Sequence, residues 1–119
     1  MAGCVLRAIG NFSPQQFLAQ HSFAEQTGHR DGSLVVTVSE ADGDALPAQI
    51  SDALAFIERR ADVLRALRAF PGIESVSLNF GLWQVAGPAQ YITFPPSITS
   101  AAGALGINIT AWFYAASDA

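Results

Sequence analysis

Residues 46–70, LPAQISDALAFIERRADVLRALRAF, form the longest segment with a helical pattern of apolar side chains. After Asp62 the centre of the apolar stripe rotates backwards, so a straight helix would turn its apolar face away from the core. We therefore predict a bend or short break near Arg59 to Asp62, with Asp44 capping the first piece and Asp62 the second. The stripe before the break consists of Leu46, Ile50, Ala53, Leu54, Ile57 and Ala61.

Shorter apolar or alternating segments on both sides of this helix predict five β-strands, over residues 4–9, 33–39, 75–82, 89–94 and 107–115. A capping box at Ser13-Pro14 starts a short helix that ends near His21. Another short helix is predicted over residues 97–105, whereas the polar residues 24–32 predict a loop. The order βαβαββαβ predicts an α+β fold in a single domain over residues 1–119. Its mixed five-stranded sheet would carry one long and two short helices mainly on one face.

Two features of this order predict how the strands pair. Residues 85–88, VAGP, are of hairpin length, so the strand over residues 89–94 is expected to run antiparallel to the strand before it. The first and last thirds of the chain each contain a strand, a junction of Phe and Pro, a short helix and another strand. Such units favour parallel neighbours joined by right-handed crossovers.

Composition excludes several classes of protein and site. A net charge of −4, with six Arg and no Lys, disfavours nucleic-acid binding, which requires a basic face. The single cysteine, Cys4, excludes an internal disulfide and a cysteine zinc cluster, and two unrelated histidines form no metal site. Without a phosphate-binding loop or a nucleophile elbow, we expect no cofactor. No secretory signal or apolar run of membrane-spanning length is present, so a cytoplasmic protein without membrane contact is predicted.

Strand alternation predicts one apolar and one polar-aromatic face of the sheet. Large rings beside hydrogen-bonding groups are enriched in interface cores, so we expect the second face to bind a protein partner or another copy of the chain. The alternative is that the long helix or a loop covers part of it. The apolar face would present Leu34, Val36, Val38, Leu78, Phe80, Ile109 and Phe113. The polar-aromatic face would present Arg7, Thr37, Ser39, Ser77, Asn79, Thr110, Trp112 and Tyr114, of which Arg7, Asn79, Trp112 and Tyr114 are the predicted binding residues.

Four of the six arginines, Arg59, Arg60, Arg65 and Arg68, lie within ten residues. Guanidinium groups suit carboxylates and phosphates, so one interpretation is a site for an anion or acidic partner, with Arg65 and Arg68 as further binding residues. The other interpretation is a solvated helix face on which Asp62 pairs with Arg65 three residues later.

A glycine-flanked segment, His29-Arg30-Asp31, places a potential base, anion clamp and acid together. Three adjacent polar residues are also ordinary in a loop, and a general base needs a positioned partner. We therefore assign no catalytic residue and treat a minor enzyme using this loop as the least favoured hypothesis.

From Arg68 onward the chain resembles a family of small bacterial domains of unknown function, some of which are grouped with toxin-immunity proteins. The resemblance rests on the segments RAFPG (68–72), SLNFG (77–81), FPP (94–96) and LGI (105–107). It implies an α+β domain without known enzymatic activity, and it transfers no catalytic residue.

The favoured function is therefore binding, either to another protein or to a second copy through the face that contains Trp112 and Tyr114. The alternative is a module that binds or senses a small molecule. A concave pocket beside this face and a ligand-dependent rise in melting temperature would distinguish the second hypothesis from the first.

Overall fold

The computed structural model describes residues 3–115, which form five strands and four helices. The elements in chain order are β1 (Gly3–Gly10), α1 (Pro14–Gln20), β2 (Thr27–Arg30), β3 (Ser33–Ser39), α2 (Leu46–Arg59), α3 (Ala61–Ala69), β4 (Ile73–Gln84), α4 (Pro96–Ala104) and β5 (Asn108–Ala115). The predicted α+β class, with a mixed five-stranded sheet, is confirmed.

The sheet has the strand order β2-β3-β1-β4-β5. Neighbouring strands are antiparallel except β4 and β5, which run parallel and are connected through α4. The first four strands with α1 and α2/α3 follow the βαββαβ order called the split βαβ arrangement. The α4–β5 unit extends that arrangement by one parallel strand at the β4 side.

The break in the long helical segment is confirmed, because α2 ends at Arg59 and α3 begins at Ala61. The break lets each piece direct its own apolar face to the core: Phe56 and Ile57 from α2, and Leu64 and Leu67 from α3, are buried. The predicted aspartate caps are wrong. Neither helix has a side-chain cap, and the residues at the two N-cap positions are Ala45 and Arg60.

All four helices contribute to one core on one face of the sheet. The β1, β3 and β4 residues that face the helices are fully or almost fully buried, as the alternation predicted. The largest buried side chains include Phe17 of α1, Phe56 of α2 and Ile98 of α4. The sheet residues in this core are Cys4, Leu6, Ala8, Leu34, Val36, Val76, Leu78 and Phe80.

Two strand predictions are wrong. Residues 89–94 form no strand; instead the Gln90 side chain closes the loop by accepting from the Val85 N–H and donating to the Trp83 carbonyl, both at 3.0 Å. The place beside β4 is taken by β5. Conversely, the predicted loop contains β2, which reaches β3 through an Asp31-Gly32 turn with Gly32 at φ +76°.

The parallel pairing predicted within the first and the last third is wrong in both. In the last third, the predicted strand over residues 89–94 is absent, and β5 pairs in parallel with β4 instead. In the first third, β2 continues directly into β3 through a tight turn, so β3 enters the sheet beside β1 in the antiparallel direction. The turn between β2 and β3 therefore decided the direction of β3.

Gln49 joins α2 to the β3–α2 loop and to β4. Its side chain is completely buried, and its Nε2 donates to the carbonyls of Ala41 at 3.2 Å, Asp42 at 3.0 Å and Gly81 at 2.9 Å. These bonds hold the β3–α2 loop against β4. The Oε1 atom has no partner among the described residues, so the amide is stabilised through its nitrogen alone.

Replacing Gln49 with Leu leaves the three carbonyls, of which that of Gly81 is buried, without their donor. We expect Gln49→Leu to lower the free energy of unfolding by about 1–3 kcal/mol, measured by urea denaturation. Gln20→Leu, on the exposed end of α1, is the matched control and should stay within about 0.5 kcal/mol of the wild type. Equal stability of the two variants would show that the Gln49 bonds do not hold the loop.

Cys4 provides a second check of the core. Burial raises the pKa of the Cys4 thiol to about 12, and the Asp52 carboxylate contributes to the same shift. Because the thiolate is the reactive species, native protein at about pH 8 should resist an aromatic disulfide reagent, and protein unfolded in denaturant should react at once. Rapid labelling of native protein would contradict this placement of β1.

Candidate functional site

The face of the sheet opposite the helices contains a groove of roughly 570 Å³. Pairing registers place side chains from four strands side by side along it: Val5 lies opposite Thr37 and Asn79, and Asn79 lies opposite Thr110. The groove is lined by Gly3, Val5, Arg7, Gln26, Thr37, Ser39, Glu40, Asn79, Gly81, Trp112 and Tyr114. No residue of a helix contributes to this lining.

Two paired glycines at one end of the groove allow close packing of the backbone and of an aromatic ring. Gly3 of β1 lies opposite Gly81 of β4, and Trp112 is the β5 neighbour of Gly81. A Cβ atom on Gly81 would lie 2.9 Å from the Gly3 carbonyl oxygen and 3.3 Å from Cε2 of Tyr114. The Gly81 position therefore tolerates no side chain, because the Gly3 backbone and the Tyr114 ring pack directly against it.

Arg7 is the cation of the groove. It lies in the middle of β1, and its Cζ atom is 5.7 Å from the centroid of the Trp112 ring, within range of a cation–π interaction. Its Nε atom is buried and makes no hydrogen bond within residues 3–115, and no carboxylate of those residues forms an ion pair with it. Arg7 is thus a partly desolvated guanidinium with an unused donor.

Asn79 supplies a second polar group beside Arg7. Only 8% of Asn79 is exposed, and its Oδ1 accepts a 2.9 Å hydrogen bond from the Ser77 hydroxyl. That bond orients the amide and leaves its NH₂ group available to donate. Ser77 is the β4 neighbour of Arg7, so the two predicted binding residues lie on adjacent rows of the same face.

The rings of Trp112 and Tyr114 form an aromatic wall of the groove, and the β3–α2 loop supports this wall. The Trp83 indole N–H donates to Oδ1 of Asp42 at 2.8 Å, and the Trp83 backbone N–H donates to the Gly43 carbonyl at 3.2 Å. The Trp83 ring meets Tyr114 edge to face, with centroids 6.4 Å apart. The Tyr114 ring is therefore held between Trp83 and Gly81.

Four predicted binding residues, Arg7, Asn79, Trp112 and Tyr114, are thus brought together in one groove. The sequence analysis missed the paired glycines. A glycine that follows Asn79-Phe80 within a strand indicates only indirectly that another glycine lies opposite it. It also missed Gln26 and Glu40 at the rim, which reach the groove through loops whose course alternation does not predict.

Ser39 and Phe113 differ from their predicted environments. A β-bulge at Val38 breaks the alternation of β3, and the Ser39 hydroxyl donates to Asp52 of α2 at 2.6 Å, on the helix side of the sheet. Phe113 lies on the helix face, opposite Leu82, but 45% of it is exposed because it lies near the end of β5, past the buried part of that face.

The arginine cluster lies on α2 and α3, outside the groove. Arg65 pairs with Asp62 at 3.0 Å, as the second interpretation of the cluster predicted, and Arg68 donates from Nε to the Gly106 carbonyl at 3.2 Å.

Arg59 and Arg60 both pair with Glu25. Partial burial alone would raise the pKa of Glu25, but the bonds from Arg60 and Arg59 outweigh it and lower the pKa. Each of the four guanidinium groups has an internal partner, whereas a binding role for Arg65 and Arg68 stays a prediction.

The His29-Arg30-Asp31 segment forms the end of β2 and its turn, beside a second groove of about 500 Å³ that shares Arg7 with the first. The register places His29 on the face of Leu34, whereas Arg30 shares the face of Arg7. The three side chains therefore do not converge, and no hydrogen bond between them is present. Across residues 3–115, no group of three or more His, Cys, Asp and Glu side chains is arranged to hold a metal ion.

Comparison with known proteins found no match: no family model matches the sequence, and neither a curated protein nor a solved structure matches the chain. The resemblance to small bacterial domains grouped with toxin-immunity proteins stays a prediction. None of the helices within residues 3–115 has the length and apolar character needed to cross a membrane.

The exposure of Trp112 can be measured directly. Trp112 is 44% exposed, whereas the indole of Trp83 is bonded to Asp42 and packed on Tyr114. In dilute solution, acrylamide should quench the single tryptophan of a Trp83→Phe variant more efficiently than that of a Trp112→Phe variant. The reverse order would mean that Trp112 is covered and that the groove is closed.

Proposed function

We propose that this protein acts by binding, and that the groove takes a small organic anion with a flat apolar part. The single observation that carries the proposal is Arg7, a partly buried guanidinium with a free Nε donor and no carboxylate partner among residues 3–115. Burying part of a charge without a counter-ion costs free energy, and a bound carboxylate or phosphate would offset that cost.

Neighbouring groups support an anion with directed hydrogen bonds. Arg7 offers donors in a planar fork that matches a carboxylate or phosphate, and the NH₂ of Asn79 can donate to the same ligand. Glu40 lines the rim and makes no ion pair with Arg7. The acid at the rim would disfavour ligands of high negative charge, so a monoanion is the best fit.

The aromatic wall supports the flat part of the ligand. Trp112 and Tyr114 line the groove and are 44% and 40% exposed, so a flat ligand can pack against their rings. The groove volume, roughly 570 Å³, lies within the range of sites for small organic ligands, about 300–1,000 Å³. A single buried cysteine without a disulfide is compatible with the cytoplasmic location predicted from the sequence.

The proposal is tested with 2-naphthoate and its uncharged analogue 2-naphthamide as probes. We expect naphthoate to raise the melting temperature, to change Trp112 fluorescence and to bind at least about tenfold more tightly than naphthamide, since one charge-assisted hydrogen bond contributes about 1.5–3 kcal/mol. Arg7→Gln should remove this preference. Arg68→Gln, on α3, is the matched control and should retain it.

Equal affinity for the acid and the amide, or an unchanged preference in Arg7→Gln, would refute the anion site. Circular dichroism of both variants checks that folding is intact, because Arg7 makes no internal hydrogen bond through Nε whose loss would destabilise the sheet.

A second candidate function is the binding of a protein partner or a second copy across the same face. The observation that favours it is the exposure of three large side chains, Ile9, Trp112 and Tyr114, on a face without helices. A partner that covers this face would exclude naphthoate, whereas a small-molecule site would bind the probe in the isolated monomer.

A further inference from the structure

The outer edge of β5 is a long sheet edge without the usual protective features. β5 has eight residues, NITAWFYA, with no charged residue and no proline. The opposite edge strand, β2, has four residues and carries His29 and Arg30. Charges, prolines and short length are the features by which edge strands avoid further pairing. Only one of the two edges of this sheet has them.

The backbone of β5 has unused hydrogen-bonding capacity along this edge. One side of β5 pairs with β4 over eight residue pairs, and the sheet ends there. Within residues 3–115, no backbone hydrogen bond outside the β4 ladder involves a residue of β5. The N–H and C=O groups on the other side therefore form an open row that a further strand can pair with.

We infer that a second copy of this chain pairs with β5 along this edge, antiparallel, to form a continuous ten-stranded sheet. Identical strands side by side in opposite directions are related by a two-fold axis perpendicular to the sheet, which is the commonest symmetry of dimers. Such an axis keeps the helices of both copies on one face. Residues that pair across the axis point to the same face of the sheet. A residue that lies on the axis therefore pairs with the same residue of the other copy.

The side chains favour the register in which Ala111 faces Ala111 of the other copy. Phe113 then lies opposite Ile109, which gives an apolar pair on the helix face on each side of the axis. Trp112 lies opposite Thr110 on the groove face. The alternative register, in which Trp112 faces Trp112 of the other copy, would place Phe113 against Ala111 and leave more of the Phe113 ring in water.

The charge of the chain and the contact area indicate how tightly the second copy binds. The chain has a net charge of −4, so two copies repel each other in general, but β5 brings no charge to the contact. Phe113, the ring of β5 that lies outside the groove, is 45% exposed. With about 200 Å² for a ring residue, Phe113 contributes roughly 180 Å² of a two-sided interface. The remaining contact comes from the strands, so the dimer is in the weak, micromolar class.

This pairing is separate from the ligand site. Both grooves of the dimer open on the same face, on either side of the new strand pair, and neither is covered. Phe113 lies on the opposite face of the sheet from Arg7. An experiment can therefore disprove the dimer without disproving the anion site, and the reverse.

The first test is the solution mass of the full chain from low micromolar to near-millimolar concentration, by sedimentation equilibrium. The wild type should change from monomer to dimer over this range. Phe113→Lys replaces the apolar Phe113–Ile109 pairs with a charge against Ile109 on each side of the axis and should remain monomeric. Tyr91→Lys changes another aromatic residue, 90% exposed and outside β5, and should dimerise like the wild type.

The second test is cross-linking, which holds even if Phe113→Lys folds poorly. In the inferred register the two Ala111 Cα atoms lie about 4.5–5.5 Å apart, within the range for a disulfide. Ala111→Cys should form a cross-linked dimer under mild oxidation. The buried Cys4 does not react, so the wild-type chain is the control. A monomeric wild type at all concentrations, or Ala111→Cys that fails to cross-link, would overturn the inference.

Discussion

The register between the two central strands, β1 and β4, determines everything on the open face. Gly3 opposite Gly81, Val5 opposite Asn79 and Arg7 opposite Ser77 all follow from this single alignment. A shift by one residue would move Arg7 into the apolar layer and Leu6 into water, at a cost of several kcal/mol for the charge alone. The burial of Cys4, Leu6 and Ala8 against the helices therefore fixes the position of Arg7.

The separation of the helix face of the sheet from the open face also accounts for which arginines form ion pairs. On the helix side, the four clustered arginines find carboxylates or a carbonyl within the chain, and the two that pair with Glu25 lower its pKa. On the open side, Arg7 has an aromatic neighbour in place of a carboxylate. The clustered arginines thus have internal partners, while a single arginine inside an apolar strand has the unusual environment. Local charge density was a poor guide because ion pairing depends on which loop returns to the helix.

The groove and the β5 edge have the same origin. Adding α4 and β5 to the split βαβ arrangement extends the open face and supplies Trp112 and Tyr114 as a wall. It also creates a new sheet edge from an uncharged strand with aromatic residues on both faces. A ligand site and an assembly site can therefore share one strand without sharing the same groups, because the first uses side chains and the second uses the backbone edge.

The sequence by itself determined the features that depend on local periodicity. Alternation in Val76, Leu78, Phe80 and Leu82 predicted both the strand and its faces, and the rotated stripe predicted the break after Arg59. Only the tertiary structure decided which strands pair, since the same pattern suits either direction and Gln90 or Asp31-Gly32 can redirect the chain with a few hydrogen bonds or one positive φ. It also decided that a bulge turns Ser39 towards Asp52 and that two distant glycines meet beneath the rings. Those contacts join residues far apart in the chain, and periodicity carries no information about them.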